Sequence, residues 1–210
     1  MLIVVTNRHL CRGSFPEQVE KIARGRPDAV ILREKDMSEA EYRRLALECA
    51  RICRSYGVRL IVHSFVQIAR DIGVGQVHLS FGDFMSYRNE GLEIGVSVHG
   101  VEEAVAAEHR GAAYLVAGHV FATESKKDAA PRGLKFLADI CAAVRVPVYA
   151  IGGIARWNVR SAMAGGAAGV CVMSSVMTAE RPEEVLASLR GACSLTPPDG
   201  SNCSIQSGDC

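Results

Sequence analysis

The sequence predicts a (β/α)8 TIM barrel, and three observations carry that expectation. Short, nearly continuously apolar runs recur at 2–6, 29–33, 59–63, 74–79, 93–97, 113–117, 147–151 and 169–173. Such runs suit parallel strands buried on both faces. Helix-patterned stretches separate them, and polar residues gather at one and the same end of nearly every run. Eight strands alternating with about eight helices is the count for a barrel. An open doubly wound sheet is the alternative, but no glycine-rich phosphate loop follows the first run to support it.

Taken in order, the N-terminus enters its first strand directly through Met1-Leu2-Ile3-Val4-Val5, with no basic region before it. That start reads as a strand and not as a signal peptide, so a cytoplasmic protein is expected. The clearest helix spans 38–55. Ser38 and Glu41 are spaced as a capping box, and Leu45, Cys49 and Ile52 with Ala46 and Cys53 form one apolar face. Stretches 101–110, 134–143, 156–164 and 182–190 share this pattern, while 80–91 is the least regular. Gly57, Gly111 and Gly165 stand where C-cap glycines are expected. Residues 1–192 read as one catalytic barrel domain. Residues 193–210 are rich in Ser, Gly and Pro and read as a disordered tail.

Composition excludes several function classes. Lys and Arg number 24 against 23 Asp and Glu, a net charge of +1, so no global field attracts nucleic acid or an anionic membrane. No apolar run approaches the ~18–20 residues that a membrane helix needs. The eight cysteines show no paired zinc spacing, and several fall within predicted helices or strands, which makes them small buried hydrophobes. The sequence leaves the oligomeric state open, homo-oligomers included.

In a barrel, chemistry gathers where strands end. Those ends hold Arg33, Glu34, Lys35 and Asp36 after the second strand, His63 and Ser64 after the third, and Ser80 and Asp83 after the fourth. Ser97 and His99 end the fifth. His119 opens a long loop after the sixth, with Thr123, Lys126 and Lys127 following. Gly152-Gly153 and Ser174-Ser175 follow the last two strands, where barrels commonly hold a phosphate on backbone N–H groups. Arg33 and Lys35 suit a second anion. Imidazole suits proton transfer near neutral pH, which singles out His119. His63 and His99 could join it as a metal triad, but nothing in the spacing requires one, so no metal is expected.

Six segments together resemble the thiamine phosphate synthase superfamily over about residues 2–190. They are Leu32-Arg33-Glu34-Lys35-Asp36, Val77-His78-Leu79, Ile94-Gly95-Val96-Ser97-Val98-His99, the 118–127 loop, Ala150-Ile151-Gly152-Gly153-Ile154 and Val172-Met173-Ser174-Ser175. The resemblance implies a barrel of the thiamine phosphate synthase type. The synthase joins a pyrimidine pyrophosphate to a thiazole phosphate and holds the pyrophosphate through magnesium. Here its Asn-Asp pair reads His63-Ser64, its His-Leu-Gly-Gln reads His78-Leu79-Ser80-Phe81, and its Gly-Pro reads Gly118-His119. Gly-His-Val-Phe-x-Thr with Lys126-Lys127 looks like the sister branch of thiazole tautomerases, the TenI-like proteins.

That branch implies a cofactor-independent isomerase. It would aromatise a carboxylated thiazole phosphate by proton transfer through His119. Gly152, Gly153, Ser174 and Ser175 would hold the phosphate. Arg33, Lys35 and Lys126 would meet the carboxylate, Thr123 would orient the ligand, and Ser97 would join the binding residues. A synthase with an altered metal site and a non-catalytic binder of a thiamine precursor are the alternatives.

Overall fold

Eight strands close into a parallel barrel in sequence order. They are β1 Leu2–Val5, β2 Ala29–Leu32, β3 Arg59–His63, β4 Gln76–Ser80, β5 Glu93–Val98, β6 Tyr114–Gly118, β7 Val148–Ile151 and β8 Gly169–Val172. Closure comes from β1 pairing with β8, Leu2 opposite Val170 and Val4 opposite Val172. This ring is the expected (β/α)8 architecture, and it removes the open sheet. The computed structural model describes residues 1–88 and 91–194, so the expected tail lies outside the described residues from 195 onward.

The helices lie between the strands. They are α1 Phe15–Arg24, α2 Glu39–Ser55, α3 Val66–Asp71, α4 Phe81–Ser86, α5 Val101–His109, α6 Gly133–Ala143, α7 Val159–Ala164, α8 Ser174–Met177 and α9 Pro182–Ser194. Ser38 and Glu41 form the capping box that starts α2, as their spacing predicts. The irregular stretch after β4 is a short helix, α4, capped by Ser80 and Asp83. Gly57 and Gly111 take positive φ after their helices, but after α7 that role falls to Gly166 (φ +96) and not to Gly165. Cys193 sits at the end of α9 and not in a tail. Among the described residues, no helix is long and apolar enough to cross a membrane.

Strand alternation divides the apolar residues into two cores. Leu2, Val4, Val30, Leu32, Val77, Leu79, Val96 and Val98 face the helices. Ile3, Val5, Ala29, Ile31, Ile61, Tyr114, Val116, Tyr149 and Cys171 fill the lumen. The same alternation turns His63, His78, Ser97 and Arg33 toward the lumen at its C-terminal mouth. Apolar layers therefore plug the barrel, and polar residues cap it.

Tyr42 couples this mouth to the outer layer. It is fully buried on α2, and its hydroxyl donates to the Leu32 carbonyl at 2.6 Å and accepts from the His63 amide at 3.0 Å. One phenol thus joins the last residues of β2 and β3, and Phe65 packs on its ring at 4.4 Å. Tyr42→Phe would leave a buried carbonyl and a buried N–H unpaired. We expect it to cost about 1–3 kcal/mol in urea unfolding. A loss below about 0.5 kcal/mol would mean that the strand ends find other partners.

Candidate active site

The first arc of the mouth is built by the ends of β1 and β2. Glu34 is 3% exposed. Its carboxylate accepts from Thr6 Oγ1 at 2.7 Å, from the Arg8 amide at 3.0 and 3.1 Å, and from the Arg8 guanidinium at 3.3 Å. Arg8 then forks onto Asp36, with one bond at 2.7 Å, and His9 adds a third contact at 2.9 Å. Arg8 and then His9 hold the Asp36 carboxyl well below the usual range. Thr6 Oγ1 also accepts the Arg33 amide at 2.9 Å. Glu34 thus turns away from the flanking cations, leaving Arg33 half-buried and Lys35 exposed. Thr6 and Arg8 are not among the sequence-predicted site residues, although Thr6-Asn7-Arg8 is a polar strand end of the same kind as the others.

The second arc holds buried imidazoles. Burial first, then Arg33 and Lys35, push His63 down to about 4. Burial first, then His63 and Arg33, push His78 down to about 3. Both are therefore neutral near pH 7. His63 Nδ1 lies 2.8 Å from Ser64 Oγ. His99 is exposed; partial burial, with Lys126 next, lowers its pKa, so that lysine's charge reaches the end of β5.

The third arc belongs to β6, β7 and β8. His119, joined to Gly118 by a cis peptide, is 5% exposed, and its Nε2 donates to the Ala129 carbonyl at 3.2 Å. A carbonyl only accepts, which assigns the proton to Nε2. The Arg132 amide donates to the His119 carbonyl and the Gly133 amide to that of Val120, both at 3.0 Å. His119 therefore pins its own loop closed at the base. Lys127 pairs with Glu124, whereas Lys126 has no ion pair among the described residues, which separates two lysines that the sequence leaves equivalent. Thr123 is half-buried before them.

Gly152 (φ +99) and Gly153 (φ +64) are needed because the β6 loop runs over them. A Cβ on Gly152 would meet His119, and one on Gly153 would meet Phe121 and the Ala122 carbonyl. The Val120 amide donates to Ile151 O at 2.8 Å and the Phe121 amide to Gly152 O at 3.0 Å. Asn158 Nδ2 holds the Gly153 carbonyl at 2.8 Å. Ser174 Oγ, at the start of α8, lies 3.0 Å from Ser125 Oγ, and Ser175 beside it is exposed. Glycines read from the sequence as room for an anion are thus explained first by chain packing. All ten sequence-predicted site residues stand at the C-terminal mouth. The β6, β7 and β8 group is in mutual contact, and Arg33 and Lys35 lie on the opposite arc.

These residues offer magnesium one carboxylate, Asp83, where the resemblance implies two. Magnesium takes oxygen ligands, typically one or two carboxylates with substrate phosphates. The Asn-Asp position offers an imidazole tied to a hydroxyl, and the Asp83 carboxylate accepts Ser80 Oγ–H at 2.6 Å at the start of α4. Among the described residues, no three His, Cys, Asp or Glu side chains are grouped to hold a metal ion.

The family described as Thiamine monophosphate synthase matches residues 2–176. The chain belongs to the thiamine monophosphate synthase family. It is 39% identical over 183 residues to the thiamine-phosphate synthase of Methanoregula boonei, covering 84% of this chain and 85% of that one. It is 37% identical over 201 residues to that of Chloroflexus aurantiacus, covering 93% of each. The thiamine phosphate pyrophosphorylase structure from Pyrococcus furiosus superposes with a TM-score of 0.80 at 32% identity, covering 91% of this chain and 94% of that one. These synthase-family relatives overturn the expectation of a tautomerase, and with it the isomerase class: they carry the synthase name over nearly their full length.

The buried neutral imidazoles make this family member acid-sensitive. Once unfolded, His63 and His78 bind protons near the ordinary pKa of 6.5, whereas folded they resist down to about 4 and about 3. Between these values the unfolded chain holds more protons, so stability is full above about pH 6.5 and falls as pH drops. We expect a slope of up to about 1.4 kcal/mol per pH unit for each histidine. Urea midpoints taken from about pH 7.5 to about pH 4.5 measure it. His63→Gln should remove one histidine's share, and a flat wild-type profile would contradict the assignment.

Proposed function

We propose that the chain is a transferase of thiamine biosynthesis that couples a pyrimidine diphosphate to a thiazole phosphate, using residues 1–192 as its catalytic domain. The observation that carries this reading is identity of 37–39% to relatives named thiamine-phosphate synthase across most of both chains. In this coupling the bond from the pyrimidine methylene to the diphosphate oxygen breaks, and a bond to the thiazole nitrogen forms. The diphosphate leaves with the electron pair. The protein's task is to hold two anions in line and to neutralise the charge that grows on the leaving group.

The polar arcs suit that division. Arg33 and Lys35 face the diphosphate, with Arg33 able to fork onto two oxygens. Lys126, unpaired at the mouth, supports the same charge from the other side. Backbone at Gly152 and Gly153, with Ser174, Ser175 and Thr123, holds the thiazole phosphate. Ser97 contacts the substrate between them, and His119 serves by fixing the loop that carries Thr123 and Lys126. The Asp-to-Ser64 exchange favours a second reading, a protein that binds a thiamine precursor without turning it over.

Mixing both substrates with the protein, with and without EDTA, tests the proposal. Diphosphate and thiamine phosphate should appear in equal amounts and only when both substrates are present. Arg33→Ala should lower kcat/KM by at least about tenfold, the loss of one charge-assisted contact. Substrate binding with no diphosphate release under either condition would sink the transferase reading and establish the binding one.

A further inference from the structure

A row of polar side chains inside the barrel leads up to Ser97 from below the site described above. Tyr114 on β6, His78 on β4 and Ser97 on β5 all turn into the lumen. Gly95 on β5 makes the row possible, because a Cβ there would overlap the Tyr114 ring. The phenol lies across that gap and brings its oxygen to 3.2 Å from His78 Nδ1. His78 Nε2 lies 2.8 Å from Ser97 Oγ. Tyr149 continues the row downward, its ring 5.5 Å from that of Tyr114. His78 is 3% exposed and Tyr114 7%. Phenylalanine and leucine would fill such a lumen without any polar cost, whereas a buried hydroxyl and imidazole must each find partners.

The count of donors gives the row a direction. Tyr114 has one proton to donate, and His78 is its only hydrogen-bond partner among the described residues. The phenol therefore donates to Nδ1, since a buried hydroxyl without an acceptor is costly. Nδ1 then carries no proton. Burial keeps the imidazole neutral near pH 7, so its single proton is on Nε2 and is donated to Ser97 Oγ. Ser97 accepts, which leaves its own hydroxyl proton free. Ser97 is half-buried at the end of β5, where the lumen opens. Both of these bonds, Tyr114 to His78 and His78 to Ser97, run from the lumen toward the mouth, while the Tyr149 hydroxyl below them donates to Met1 Sδ at 3.1 Å.

We infer that Tyr114 and His78 are positioning residues that hold Ser97 as a hydrogen-bond donor toward an acceptor atom of the bound substrate. With the opposite polarity Ser97 would present a lone pair and select a donor group instead. The inference deepens the reading of the mouth as a substrate site, and it rests on that reading only for the identity of the ligand.

The tautomer tests it without substrate. Nitrogen-15 NMR of histidine-labelled, full-length protein should show His78 as the neutral Nε2–H form. An Nδ1–H form would overturn the inference. The second arm measures thiazole phosphate binding by calorimetry for Tyr114→Phe, Ser97→Ala and the double variant, with unfolding midpoints recorded separately. Each single change should weaken binding about tenfold. The double variant should be no worse than the weaker single one, because the phenol acts through the hydroxyl. Losses that multiply would overturn the inference, and Ser97→Thr should restore binding. A wild type that bound no thiazole phosphate would sink the coupling reading, while the tautomer would still decide the inference on its own.

Discussion

Closure of β1 onto β8 obliges every second residue of each strand to share one lumen. Everything at the mouth follows from that constraint. The lower layers are apolar, with Ile3, Ile31, Ile61 and Cys171 packed across the axis. One residue pair further along each strand, the same parity brings Arg33, His63 and Ser97 to the rim. These rim positions are therefore continuous with the core, and their geometry is fixed by packing beneath them rather than by loop conformation. Tyr42 reinforces this from outside by bonding to the last residues of β2 and β3 together.

The strand periods and their rim residues were legible because burial on both faces leaves an unbroken apolar run, and its end is a visible change of chemistry. Other features depend on contacts between distant segments, which no local pattern encodes. The partner of Glu34 is Arg8, 26 residues away, and nothing near Glu34 announces a buried carboxylate. His119 stands out as a lone imidazole before a cationic loop, yet its Nε2 is committed to Ala129 within that loop. Gly152 and Gly153 are required, but the atoms that require them belong to β6 loop residues His119 and Phe121. The expected branch of the family fails for a related reason. Gly118-His119 is a short local motif, whereas the identity to the synthases is spread over most of the chain.

The β6 loop is where these long-range contacts converge. Its base is closed by His119 and Val120 carbonyls accepting from Arg132 and Gly133. One side rests on the β7 glycines, and Ser125 reaches Ser174 on the far side. Between these anchors Glu124 neutralises Lys127, while Lys126 has no ion pair among the described residues. The loop thus holds Lys126 near the rim, and its ties to β7 and β8 fix the loop against Gly152, Gly153 and Ser174.

Charge accounting at the opposite arc shows what Ser64 changes. A carboxylate there would add a negative charge next to His63, whose neutrality Arg33 and Lys35 help to set. Ser64 contributes no charge, and His63 is held neutral by burial and by those same two cations. Glu34 and Asp36 are already engaged by Arg8. Arg8 carries one charge against those two, so with Arg33 and Lys35 the arc holds three cations against the three carboxylates of Glu34, Asp36 and Asp83, and its charges balance. A neutral serine beside a buried, neutral imidazole therefore leaves this arc uncharged overall, whereas a carboxylate at position 64 would make it net negative.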